Sequence, residues 1–194
     1  MADTHTARAS AHDLELVALA ATGGRDAFGE LIRRHGSAVR GILRRLGADP
    51  ASADDIAQDA FLAAYEQIGD FRGEGTFQSW VKRIAARLYA KRWRREARGA
   101  ALAELMAEFD APSPPESASA DRIDLDEALK ALSPVERICV ALCYGADLSQ
   151  AEAAQALNAP LGTVKSHVKR GLDKLRVRMA PGRSLDAPAS DVHG

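Results

Sequence analysis

Apolar residues recur along this chain at the 3.6-residue spacing of helices, and the first half carries no strand signal. Phe28, Leu31, Ile32, His35, Val39, Ile42, Leu43 and Leu46 follow i, i+3, i+4, i+7 spacing, which predicts a long amphipathic helix stopped by Gly47-Ala48-Asp49-Pro50. Before it, residues 1–12 read as a disordered leader, and a short helix is expected from Asp13 to Thr22-Gly23-Gly24. Ser52 is expected to cap a third helix, with Asp54 and Asp55 in its first turn where the macrodipole favours acids. That helix runs through Ile56, Ala60, Phe61 and Ala64 to about Ile68. After a loop at Asp70–Gly75, Thr76 caps a fourth helix through Phe77, Trp80, Val81, Ile84 and Leu88 to about Arg95. Residues 13–98 thus form a helical domain.

Residues 99–124 break the pattern, and their Pro/Ser-rich core reads as a flexible linker, with a helical turn or two at 102–109. A second domain is expected over 125–180, followed by a loose tail at 181–194. Ser133-Pro134-Val135-Glu136 is a capping box with Pro at the first helical position, and the helix it opens ends at Gly145. Ser149 and Glu152 form another box, for a helix to about Leu157. Asn158-Ala159-Pro160-Leu161-Gly162 breaks that helix, and the next is expected to open at Thr163. Val164, Val168, Leu172 and Leu175 then share an apolar face, while Lys165, Ser166, Lys169, Arg170 and Arg176 lie opposite. An apolar underside, a basic and hydroxylic outer face and a tight preceding turn suit a helix-turn-helix entering the major groove. An ordinary hairpin with a solvated charged face has the same pattern, so this segment alone leaves both readings open.

The fold class is therefore all-α: two small helical domains joined by an acidic Pro/Ser linker, the second containing a helix-turn-helix. At 194 residues with 46% apolar and only 5% aromatic content, the chain supports two modest helical cores. Its net charge of -1 hides strong segregation. Trp80 to Arg98 holds eight Lys or Arg against Glu96, and Thr163 to Arg178 holds six against Asp173, while Gly99 to Leu125 holds six acids against Arg122. Two basic patches separated by acid point to nucleic acid. No membrane segment or signal peptide is apparent, so a cytoplasmic location is expected.

The helix after Thr76 carries Arg83, Arg87 and Arg94 on one flank, with Phe77 and Trp80 at its start. Such a set can track phosphates and stack an unpaired base. Phe77 reads as core, whereas Trp80 fits either role. No catalytic constellation, cofactor loop or metal set is found: His5, His12, His35, His167 and His193 are scattered, and His35 reads as packed. Cys139 and Cys143 lack further ligands and read as buried thiols.

Taken in order, AFGELIRRHG (27–36), ADDIAQDAFLAAY (53–65), FRGEGTFQSWVKRIA (71–85), LSPVERICVALCYGADLSQAEAAQAL (132–157) and PLGTVKSHVKRGLDKLR (160–176) resemble a bacterial RNA polymerase sigma factor of the extracytoplasmic-function group. The resemblance covers about residues 25–97 and 125–178, as sigma regions 2 and 4. It implies a non-enzymatic transcription initiation factor whose partners are core RNA polymerase, promoter DNA and an anti-sigma protein. Asp54, Asp55, Gln58 and Asp59 would face polymerase. Arg72, Gly73 and Thr76 would belong to the loop that receives a flipped base of the minus-ten element, with Trp80, Arg83 and Arg87 beside it. Thr163, Lys165, Ser166, His167, Lys169 and Arg170 would read the minus-thirty-five element. The chain departs from the family pattern at His167, Gly171 and Leu172, and Gly171 is expected to weaken its helix by up to ~1 kcal/mol. The alternative class is an autonomous helix-turn-helix regulator, which would need a dimerisation element, yet no heptad or dimer face is present.

Overall fold

The computed structural model describes residues 2–96 and 125–179, with side chains from His12 onward. The expected linker at 99–124, its turns at 102–109 and the tail at 181–194 lie outside those residues. No strand occurs among the described residues.

The first helix, α1 (Ala2–Ala21), starts well before the expected Asp13. No Pro or Gly interrupts residues 2–21, and the Ala-rich sequence has high helix propensity, so most of the expected leader is helical backbone. Helix α2 (Arg25–Leu46) buries Phe28, Leu31, Val39, Ile42, Leu43 and Leu46, as the periodicity predicts. It ends at Gly47, whose φ of 113° only glycine adopts cheaply. Helix α3 (Pro50–Glu66) is capped by Asp49, which accepts a 3.1 Å bond from the Ser52 amide. Ser52 is therefore not the cap, and Pro50 opens the helix, since its missing N–H costs nothing in the first turn. After a 3-10 turn (Ile68–Asp70), α4 (Phe77–Glu96) begins where the Thr76 hydroxyl accepts from the Ser79 amide at 3.1 Å. Phe28 meets Phe61 and Phe77 edge-on, locking α2, α3 and α4 around one core.

In the second half, α5 (Leu125–Lys130) precedes α6 (Pro134–Val140), which has the full Ser133–Glu136 capping box. A π turn (Ala141–Gly145) completes the latter helix. Helix α7 (Gln150–Leu157) has the Ser149–Glu152 box and ends at Asn158 in the left-handed region, φ 51°. Helix α8 (Leu161–Met179) starts directly after Pro160, earlier than the expected Thr163. Gly162 costs little there, because first-turn amides have no intrahelical partner. Buried Glu136 receives Lys174 Nζ at 2.9 Å on each oxygen, tying α6 to α8.

Gly171 is not simply a weak point. A Cβ there would lie 2.7 Å from Val140 Cγ2, so glycine is what lets α8 approach α6. The two halves also share one apolar core that runs from α2 and α4 into α6, α7 and α8. Gly145 sits against Ile42, where any Cβ would overlap Ile42 Cδ1.

Candidate nucleic-acid interface

The loop after Phe71 carries Gly73 (φ 74°) and Gly75 (φ 92°), both in a backbone region closed to most L-residues. Arg72, Gly73, Glu74 and Gly75 are exposed, and Thr76 is half-buried as the α4 cap. Phe71 packs edge-on against Phe77, with centroids 5.9 Å apart, and its ring lies 5.3 Å from that of Trp80. Trp80 is half-buried and packs on Phe71, the residue from which the loop departs. The two sequence readings of Trp80 are compatible.

Arg83 and Arg87 follow one and two turns along α4, but here both engage the second domain. Arg83 Nη2 donates to the Asp147 carbonyl at 2.7 Å, and Arg87 Nη2 to Glu152 Oε1 at 2.9 Å. Ser79 donates to Asp147 Oδ2 at 3.3 Å, and Arg45 to Asp126 at 2.9 Å. Bonds from Ser149 hold the Glu152 carboxyl below its ordinary range, and Arg83 and Arg87 add to the effect. The start of the helix-turn-helix thus lies on the cationic flank expected to meet DNA.

On α8, Lys165 and Lys169 are exposed, and Thr163, Ser166 and Arg170 are half-buried. The Ser166 hydroxyl donates to the Gly162 carbonyl at 3.1 Å. His167 requires a correction: it is 5% exposed and faces the interior rather than the outer face. A guanidinium can only donate, so its 3.1 Å contact with Arg170 Nη2 makes His167 Nδ1 an acceptor. Its burial was legible in the wheel, because Val164, His167, Val168, Gly171 and Leu175 recur at helical spacing.

Asp54, Asp55, Gln58 and Asp59 are all exposed on α3. Asp54 and Gln58 border a groove of about 830 Å³ between α2 and α3, floored by Phe28 and Phe61 and edged by Ile32 and Leu62. Leu62 is 60% and Ile32 38% exposed. The sequence reading missed this apolar component; Leu62, one turn beyond Gln58 on a polar face, was its signal.

Burial pushes the Cys139 thiol up to about 12 and the Cys143 thiol up to about 11, so both stay protonated near neutrality. His35 packs between Asp13 and Phe77. Among the described residues no group of three or more metal-ligating side chains occurs, and no helix is long and apolar enough to cross a membrane.

Two family descriptions match the chain: Sigma-70 region 2 over residues 31–99 and Sigma-70, region 4 over residues 128–177. Over 171 residues it is 32% identical to the RNA polymerase sigma factor NccH of Alcaligenes xylosoxydans xylosoxydans, covering 84% of this chain and 92% of that protein. It is 31% identical to the ECF RNA polymerase sigma factor SigE of Mycolicibacterium smegmatis over 83% of this chain, which spans 65% of that longer protein. Among solved structures, CnrH in complex with the cytosolic domain of CnrY matches at 30% identity and a TM-score of 0.50, covering 86% of this chain and 96% of that one. With both regions in order around the geometry above, the chain belongs to the extracytoplasmic-function group of RNA polymerase sigma factors, a transcription initiation factor that acts in promoter recognition.

Proposed function

We propose that this chain reads the minus-ten element with the Arg72–Thr76 loop and the Trp80, Arg83 and Arg87 face of α4. The exposed face of α8, with Lys165 and Lys169 foremost, reads the minus-thirty-five element. The observation that carries the first assignment is an exposed loop, opened by Gly73 and Gly75, beside the Phe71–Trp80 wall. Glycine lets a nucleotide approach the backbone, and the face of an aromatic ring can stack an extruded base. Core RNA polymerase is held along α3, where Gln58 and Asp54, the latter paired with Arg40, border an apolar groove that fits a helix with an apolar ridge.

The protein acts by binding, without catalysis of its own, and works in the cytoplasm, where core polymerase and promoter DNA are. Reading the minus-ten element through Arg83 and Arg87 requires their bonds to Asp147 and Glu152 to part, a rearrangement that core polymerase drives. An anti-sigma protein is the opposing partner. The similar CnrH was solved bound to the cytosolic domain of CnrY, and a partner that favours the closed arrangement here keeps that flank covered.

Permanganate reactivity of promoter thymines, measured beside polymerase association, tests the loop assignment. Trp80→Ala and Arg72→Ala lose melting while retaining recruitment; equal loss in both assays would assign these residues to holding the domain together.

A further inference from the structure

The loop given above to the captured base is braced from an unexpected side. Helix α1 lies against it, with Leu14 Cδ2 3.4 Å from where a Cβ on Gly73 would stand. Leu14 is otherwise 46% exposed, so this contact accounts for its position at the rim. Its neighbour Asp13 is only 7% exposed, and a buried carboxylate persists only when paired. His35 Nε2 meets Asp13 Oδ2 at 2.8 Å, and Arg34 Nη1 meets Oδ1 at 3.2 Å. Arg34 is itself fixed by Glu30 at 2.7 Å, so the lock is anchored on α2. The His35 ring then lies 5.6 Å from Phe77, the residue on which Phe71 packs edge-on. Leu14 therefore fills the space over Gly73 that a Cβ would reach, and Asp13 ties the same helix turn, through His35, to the aromatic wall beneath it.

We propose that Asp13 and Leu14 are positioning residues for minus-ten reading: Asp13 fixes α1 on α2, and Leu14 holds the Gly73 backbone in the conformation that receives the base. This rests on the assignment of the Arg72–Thr76 loop to a flipped base. The core-binding face proposed above lies on α3 rather than on α1, so truncation of Leu14 is expected to leave core binding intact.

The test uses holoenzyme assembled with core polymerase and a fluorescent non-template single strand carrying the minus-ten element, either intact or abasic at each position in turn. In the wild type, removal of the captured base weakens binding by about tenfold, the scale of one stacked base. Leu14→Ala and Asp13→Asn weaken binding of the intact strand by about fivefold, part of that same stacking contribution. Both leave the strand abasic at that position at its wild-type affinity, and Leu14→Met restores the intact strand. Equal losses on intact and abasic strands would mean a merely structural role and overturn the inference, as would wild-type affinity in Leu14→Ala. If the wild type itself gains nothing from any base, the loop assignment fails first and takes this inference with it.

Discussion

Replacing Gly145 with Val drives a branched side chain from the π turn into Ile42 of α2, across the contact between the two domains. Ile42 is buried, so its side chain has little room to swing aside. Overpacking of a filled core costs ~1–3 kcal/mol. The polar contacts that resist opening are weak by comparison. Arg87–Glu152 and Arg45–Asp126 are exposed ion pairs worth ~0–1 kcal/mol each. The strain shifts the closed-to-open ratio by roughly 5–150-fold, because opening relieves it, although opening also exposes the apolar core the two halves share. Small-angle scattering should report a larger radius of gyration for Gly145→Val with helical content unchanged. The free variant should also bind minus-ten single strand better than wild type, since Arg83 and Arg87 are released. An unchanged radius with a lower melting temperature would show that the clash is absorbed locally and that this contact does not govern opening.

Three further outcomes follow from the same geometry. Gly171→Ala, which helix propensity alone would favour, should destabilise the protein to urea by ~1–3 kcal/mol because its Cβ meets Val140; a gain in stability would refute the close approach. Glu152 has a lowered folded pKa, so its contribution is fully present above the ordinary value of 4.5 and lost as pH falls through the lowered one; unfolding of wild type and Glu152→Gln should differ above 4.5 and converge below, and a constant difference would contradict this. Leu62→Asp, at an exposed position, should leave stability unchanged but weaken core polymerase binding at least tenfold (about 1.4 kcal/mol), measured by competition against wild type; unaltered binding would remove the groove from the interface.

What was legible in the sequence was local. The Ser133–Glu136 and Ser149–Glu152 boxes form as written, because a capping box is decided within four residues. The long apolar period of α2 is likewise a property of one segment. Asp49-Pro50 was half legible: the same pair that ends one helix starts the next, and only the second role shows in the cap geometry. Gly171 and Gly145 were not legible, because their reason lies on other helices, at Val140 and Ile42. His167 was misplaced by family position although the wheel put it beside Val164 and Val168. The second-domain partners of Arg83 and Arg87 could not be found from spacing, since Asp147 and Glu152 stand more than sixty residues away.

Two incomplete readers on one chain become a specific promoter reader only on core polymerase. Run-off transcription from a genomic fragment library, paired with duplex binding by the free protein on the same fragments, tests it most directly. Defined start sites are expected with core polymerase plus this protein and none with either alone. The free protein should bind duplex only weakly and in a salt-sensitive way, because neither half makes enough base contacts on its own. Tight, sequence-specific duplex binding without polymerase, with no start sites when core is added, would contradict it.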